Sequence, residues 1–315
     1  MSAQSLELLP VDIEPYRRSA TGIDFVHRFD SGIPGPNVMI NALTHGNELC
    51  GAHALVWLLE QEIRPLHGVL TLSFANVAAY ARFDPNNPTA SRYVDEDLNR
   101  LWSDDILFGQ RRSSEIARSR ELQPFVAKAD YLLDIHSMQA DCPALMLCGT
   151  ADRGRRLAER IGVPVFVVAD RGHQAGPRMR DYRAFAEADA EATALLVECG
   201  QHWRRDSAEL ARDTALRFLH TLGMIAGTTM NAHLFDAKPQ PQRFIEVSDP
   251  ITIRSERFSF VRDFGGLEVV PAAGTVIGHD NGNPVTTPYD NCVLIMPSQR
   301  LRPGQTAVRL GRFVQ

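Results

Sequence analysis

Lysine is nearly absent from this chain. Only Lys128 and Lys238 occur among its 315 residues, so almost all positive charge is carried by arginine. The five cysteines (Cys50, Cys142, Cys148, Cys199, Cys292) contain no C-x-x-C pair. An odd count in so long a chain predicts buried free thiols in a reducing compartment, the cytoplasm. No stretch approaches the roughly 18 apolar residues of a membrane helix. The N-terminus has no basic region followed by an apolar run, which predicts a chain neither membrane-spanning nor secreted. A surplus of positive charge is missing too. The net charge of −5 and a pI near 6.1 argue against nucleic acid as the principal partner, because phosphate binding needs a basic face. There is no internal repeat and no low-complexity tract.

What is present is enough apolar material, 44% of residues, for a core of 200 or more residues plus a smaller domain. Buried-strand patterns fall at Ile23–Phe29, Val38–Leu43, Val69–Ala75, Tyr131–Ile135, Ala144–Cys148, Val163–Val168 and Ala194–Glu198. Helical patterns alternate with them at Leu49–Ile63, Ser114–Lys128, Arg153–Ile161 and Ser207–Leu222. That alternation predicts an α/β fold with a mainly parallel sheet covered by helices on both faces. After Gly223 the pattern changes to short β-like runs punctuated by glycine and proline. Two domains are therefore expected, residues 1–225 and a β-rich 226–315. The segment Val269–Gly278 is similar to barrel-sandwich carriers, but a carrier needs an attachment lysine and none follows Lys238. The β region is instead expected to wall a site, and it is a candidate surface for homo-oligomerisation.

The candidate site starts at His45-Gly46-Asn47-Glu48, where a strand becomes a helix. A histidine and a glutamate so spaced supply half of a zinc site, and a catalytic zinc takes three protein ligands while leaving a position for water. Cobalt or manganese also suits two histidines and one carboxylate. His136, in Asp134-Ile135-His136-Ser137, follows a buried run and stands where parallel sheets place ligand sites. Asp134 falls on the same side of the strand and is placed to fix the imidazole tautomer. Glu198 ends another buried run, and a poorly solvated carboxylate there suits a general base toward a metal-activated water. Between these elements Asn86–Arg100 is a long polar loop, whose Arg92, Asn99 and Arg100 suit an anionic substrate. Each observation has a plainer reading: a helix start, a core histidine held by a core aspartate, a structural salt bridge, a solvated loop pairing its own charges.

Together the strings H-G-N-E, N-N-P…R-Y-V-D-E-D-L-N-R, D-I-H and V-E-C-G resemble, in order and spacing, the succinylglutamate desuccinylase and aspartoacylase family. Its members are zinc hydrolases related in fold to the M14 carboxypeptidases, and the resemblance covers roughly residues 35 to 300. It implies that His45, Glu48 and His136 hold one zinc ion and that Glu198 activates the attacking water. It further implies that Arg92 stabilises the oxyanion and that Asn99 and Arg100 grip a substrate carboxylate. Tyr289, in Thr287-Pro288-Tyr289-Asp290, resembles a tyrosine that the C-terminal part of the family adds to the pocket.

One departure stands out. Aspartoacylases carry an arginine about ten residues before the catalytic glutamate, whereas Ala184–Ala194 contains none; Arg178, Arg180 and Arg183 are the candidates to replace it. Hence the reaction class is implied but not N-acetylaspartate as the substrate. Cys199 beside Glu198 reads as a small buried residue in preference to a nucleophile. His53 reads as core or solvated, His202 as a candidate pocket residue, and His173 is left unassigned. The expected activity is zinc-dependent hydrolysis of the amide of a small anionic N-acylated amino acid. Carboxypeptidase-type cleavage and non-catalytic zinc binding are the alternatives.

Overall fold

The computed structural model describes residues 6–172 and 175–314; His173 lies outside them. Fourteen strands are formed among the described residues: β1 Val26–Asp30, β2 Asn37–Ala42, β3 Val69–Phe74, β4 Tyr131–Met138, β5 Leu145–Leu147, β6 Phe166–Ala169, β7 Thr193–Gln201, β8 Arg243–Thr252, β9 Phe258–Phe260, β10 Glu268–Val270, β11 Val276–Asp280, β12 Asn283–Thr286, β13 Cys292–Ile295 and β14 Thr306–Val314. The α-helices are α1 Leu49–Glu60, α2 Val77–Tyr80, α3 Asp104–Leu107, α4 Ser114–Val126, α5 Asp152–Ile161, α6 Arg205–Thr221 and α7 Gly227–Asn231.

Eleven strands form one sheet in the order β1-β3-β2-β4-β7-β5-β6-β8-β14-β13-β10. The pairs β3-β2, β2-β4, β4-β7, β5-β6 and β6-β8 are parallel. Central strands such as β2 and β7 are buried almost throughout, which is why they read as largely apolar runs. On one face Ile40, Leu133, Leu195 and Val197 pack under α1, α5 and α6. On the other, Met39, Leu132 and Ala194 pack under Leu122 and Val126 of α4 together with Trp102 and Met179. The chain leaves β2 through α1 to β3 on one side, then returns through α4 to β4 on the other. The carboxyl ends of β2 and β4 thus flank the topological switch point, where α/β sheets bind ligands.

The region after Gly223 is β-rich, as its glycine- and proline-punctuated pattern predicts, and its strands are antiparallel among themselves. They extend the main sheet, because β8 hydrogen-bonds alongside β6. A three-stranded sheet, β12-β11-β9, packs on this extension through Ile277, Val308, Leu310 and Phe258. A further core cluster joins Leu145, Val168 and Leu196 to Ile245, Val293 and Ile295, so apolar packing is continuous between the two parts.

Several boundaries differ from expectation. β1 begins at Val26, not Ile23, because Phe25 has φ 61, outside the extended range. β6 begins at Phe166, past Pro164, which lacks the N–H a ladder requires. β4 and β7 run beyond Ile135 and Glu198, so His136 and Glu198 lie within strands. No helix among the described residues is long and apolar enough to cross a membrane.

Candidate metal centre and active site

His45, Gly46, Asn47 and Glu48 make the turn between β2 and α1. Gly46 is required there by close approach: a Cβ would lie 2.4 Å from the backbone of Ala79 and Tyr80 and 2.5 Å from the Ser91 carbonyl oxygen. The turn holds His45 and Glu48 at 3% and 2% exposure. His45 Nδ1 is 2.7 Å from one oxygen of Glu48, and His136 Nδ1 is 2.8 Å from the other. These three residues offer donor atoms all within 4.8 Å of one another, and the two imidazoles and one carboxylate fit a divalent zinc ion.

Each imidazole is backed by a second carboxylate on its far nitrogen. His136 Nε2 lies 2.7 Å from Asp134 Oδ2, while Asp134 Oδ1 accepts from Asn41 at 2.8 Å and Thr44 at 2.9 Å. His45 Nε2 lies 2.9 Å from Asp97 Oδ1, and Asp97 Oδ2 accepts from Arg92 Nη2 at 3.1 Å. Both Nδ1 atoms are thereby directed at Glu48. Burial opposes charge on these groups, yet His45 and His136 hold Glu48 well below the usual carboxylate range. Asp134 and Glu48 in turn hold His136 well above the usual imidazole value.

Glu198 behaves differently. It is 8% exposed and its Oε2 is buried without a hydrogen-bond partner among the described residues. Burial pushes its carboxyl up to about 8; His136 opposes that shift and Glu48 adds to it. A carboxyl poised near neutrality, with no hydrogen bond or ion pair among the described residues, is suited to accept and return a proton.

The loop between α2 and α4 is pinned by a residue the sequence reading passed over. Glu115 of α4, fully buried, accepts from Asn76 Nδ2 at 3.0 Å and from the backbone N–H groups of Val94, Asp95 and Glu96 at 2.6, 3.1 and 3.2 Å. This clamp sets the path of the chain between Arg92 and Asn99. Arg92 Nη1 reaches Glu48 at 3.3 Å and Nη2 lies 2.8 Å from His45 Nε2, so its charge sits on the donor cluster. Asn99 Oδ1 accepts from the Met179 N–H at 2.8 Å, leaving Nδ2 toward His136 at 3.4 Å. Among the described residues the Arg100 guanidinium hydrogen-bonds only the Asn99 carbonyl oxygen. Burial, with Arg92, Arg178 and Arg309 nearby, pulls its guanidinium down to about 10, against Asp97.

The donor cluster and its neighbours open on one cavity of about 590 Å³, lined by His45, Glu48, Arg92, Asn99, Arg100, His136 and Glu198. Its other wall is C-terminal and includes Arg300 and Arg309, residues that no local sequence signal marked. His202 lines it as well, with Nδ1 2.9 Å from Ser137 Oγ, and burial lowers its imidazole to about 3, so it is neutral.

Tyr289, expected in the pocket, is placed elsewhere. Its hydroxyl shares a 2.6 Å hydrogen bond with Ser248 Oγ, its ring lies 3.9 Å from the Arg312 guanidinium, and it does not line the cavity. It packs instead against the core cluster of the antiparallel extension, Val270, Ile277, Cys292, Leu294, Val308 and Leu310. Of the three arginines expected to replace the missing one, Arg178 alone lines the cavity. Arg180 is buried against Asp181, and Arg183 pairs with Asp104 at the surface. Burial raises the Cys199 thiol well above its ordinary value, contrary to what a nucleophile needs. His53 bonds the Leu9 carbonyl oxygen, away from the site.

A sheet switch point carrying this donor set suits a metallohydrolase. The chain belongs to the succinylglutamate desuccinylase/aspartoacylase family, whose catalytic-domain model matches residues 34–223. A probable aspartoacylase from Parasynechococcus marenigrum is 30% identical over 178 residues, 52% of this chain and 51% of that protein. The match thus spans about half the length of that relative. A succinylglutamate desuccinylase from Pseudoalteromonas atlantica is 24% identical over 302 residues, 86% of this chain and 79% of that protein. Among solved structures, a succinylglutamate desuccinylase from Vibrio cholerae shares the fold, with TM-score 0.67 and 18% identity over 94% of this chain and 89% of that one.

Proposed function

We propose that this protein is a zinc-dependent hydrolase that cleaves the amide bond of a small, anionic N-acylated amino acid. The observation that carries the reading is a convergence. Two imidazole Nδ1 atoms meet on Glu48, and the unpartnered Oε2 of Glu198 lies on the same arginine-lined cavity. His45, Glu48 and His136 would hold the metal, which when bound polarises the amide carbonyl and acidifies the attacking water. Glu198 takes the proton of that water at its carboxylate and returns it to the leaving amine nitrogen, so the nitrogen departs as a neutral amine. Arg92, tethered by Asp97, keeps a fixed positive charge beside the donor cluster and stabilises the oxyanion of the tetrahedral intermediate. Asn99 Nδ2 and Arg100 bind a substrate carboxylate, Arg100 through a guanidinium that no side chain of the protein occupies among the described residues.

A small substrate is favoured because residues 296–300 and 305–306 wall the cavity on its C-terminal side, where a peptide would need an open groove. The test is amine release from N-acetyl, N-succinyl and longer N-acyl amino acids by chelator-stripped protein, with and without restored zinc. Zinc-dependent release is expected. Peptide cleavage without release from this panel, or release indifferent to chelation, overturns the reading.

A further inference from the structure

His202 and Trp203 lie in the turn from β7 into α6, and that turn is held from several sides. The His202 N–H donates to the Met138 carbonyl oxygen at 2.9 Å, and the Trp203 carbonyl oxygen accepts from the N–H groups of Glu7 and Leu8 at 3.0 and 2.9 Å. The His202 ring lies 5.5 Å from that of Trp203, and its Nδ1 is fixed by Ser137 Oγ at 2.9 Å. Nε2 makes no hydrogen bond among the described residues, while the residue, 2% exposed, lines the cavity. One ring nitrogen is thus satisfied by the protein and the other is left to a ligand. An enclosed polar group without a partner costs about 1–3 kcal/mol, which a ligand that pairs with it relieves.

The charge on the ring narrows what that contact accepts. Burial lowers the imidazole to about 3, with Arg92, His45 and Arg300 acting the same way against Glu48. His202 therefore offers no charge to a carboxylate, for which the cavity has arginines. A hydroxyl or primary amide pairs with a ring nitrogen of either tautomer, because it both donates and accepts. Position narrows the contact further. Asn99 and Arg100 lie between Leu98 and Trp102, which pack on the α4 face of the sheet. His202 precedes Trp203, which packs on the α1 and α6 face. The cavity crosses the carboxyl edge of the sheet, with Arg100 on one flank and His202 on the other. An amino-acid carboxylate held by Asn99 and Arg100 directs the acyl chain past the donor cluster toward His202.

We propose that His202 is a specificity-determining residue whose Nε2 contacts the acyl portion of the substrate and selects chains carrying an uncharged hydroxyl or amide group. This rests on the deacylase reading, with Asn99 and Arg100 on the carboxylate of the amine portion. Ser137 keeps the ring from turning, and its N–H donates to Glu48 at 3.3 Å, so one residue ties this contact to the donor cluster.

The experiment compares kcat/KM for pairs of acyl groups of equal shape on the amino acid that the protein deacylates fastest: glycolyl against propionyl, β-hydroxybutyryl against isovaleryl, and succinamoyl against isocaproyl. The polar group moves outward from pair to pair, so the panel also locates the contact. The wild-type protein is expected to prefer the polar member of at least one pair by about 3- to 10-fold, the range of a hydrogen bond between uncharged groups. His202→Phe keeps a ring and loses both nitrogens, and should bring that ratio to one or below. His202→Asn keeps an amide near the place of Nδ1, within reach of Ser137, and loses the reach of Nε2; it should lower the ratio in the same way even if the Phe variant fails to fold. His202→Gln extends an amide to the place of Nε2 and should restore part of the preference, which a merely structural role for the ring would not predict. A wild-type ratio below about threefold in every pair, or a ratio that survives the Phe or the Asn substitution, overturns the proposal.

A second readout is independent of turnover. In metal-free protein with isotopically labelled histidine, the nitrogen NMR signal of His202 Nε2, assigned by its loss in His202→Gln, should move on adding the preferred polar N-acyl amino acid and stay in place with its apolar isostere. If it moves while the zinc-loaded protein cleaves no N-acyl amino acid, the deacylase reading fails and the contact stands. Cleavage with neither a polar preference nor a shifted signal leaves the reaction and removes the contact; no cleavage and no shift overturns both.

Discussion

His136 and Glu198 are register partners on the neighbouring parallel strands β4 and β7, and the ladder shifts immediately beyond them. A donor nitrogen and the candidate base are thus carried side by side by the rigid centre of the sheet. Glu198→Gln keeps the shape and removes the proton acceptor. We expect kcat to fall about 100- to 10,000-fold, with zinc retained at one per chain by elemental analysis. Unchanged turnover would show that another group moves the proton.

Asp97 gives a way to weaken the centre from outside. Asp97→Asn should reduce zinc affinity by roughly 10- to 100-fold, the usual effect of losing an outer hydrogen-bond partner of a ligand, measured by chelator competition. Asp134→Asn should do the same and also cost stability, because Asp134 accepts from Asn41 and Thr44 in the interior.

The raised carboxyl of Glu198 makes a stability prediction for metal-free protein. A carboxyl that titrates near 8 when folded, and in the ordinary range near 4.5 when unfolded, keeps its proton in the native state between those values. Stability therefore falls as pH rises from 4.5 to 8. Metal-free Glu198→Gln, which never ionises, should match wild-type Tm at pH 4.5 and exceed it at pH 8; equal Tm values at both would refute the shift.

Glu115 should prove as important to the loop as any residue within it. Glu115→Ala orphans four donors, among them three consecutive backbone N–H groups. A loss of about 2–4 kcal/mol is expected from the urea midpoint, with KM raised and limited proteolysis newly cutting near Val94–Glu96. If KM and the cleavage pattern stay as in the wild type, the loop is held by other contacts.

Tyr289→Phe should leave kcat/KM within about twofold, since the hydroxyl it removes bonds Ser248 and not the cavity. A drop of tenfold or more would put this tyrosine back in the chemistry.

The parts legible in the sequence share a physical property: each depends on local geometry. An apolar run ending in D-I-H or V-E-C-G announces a buried strand with its polar residue at the carboxyl end, and H-G-N-E announces the turn into a helix. The sheet order then brings those ends together. Asp97 was not legible as the partner of His45, because three acidic residues in a polar loop read equally well as solvated charge. Glu115 was hidden for the opposite reason: on a helix it looks like an exposed glutamate, and its partners lie 19 to 39 residues back. Arg300 and Arg309 had no local signature, since nothing in a short β-like run says which cavity it will face. Tyr289 rested on a four-residue string, too little to carry its placement through five intervening strands.

The pairing of β8 with β6 has a consequence for the solubility of shortened forms of this chain. Phe166-Val167-Val168-Ala169 is a short strand with no charge and no proline, and it is capped along its length by Arg243–Glu246. A fragment ending before Arg243 would bare that edge, together with the apolar faces of Val168 and Leu196. Bare edges of this composition template intermolecular pairing. Such a fragment is expected to aggregate even if its donor cluster is intact, which makes the C-terminal strands a guard against self-association as well as a wall.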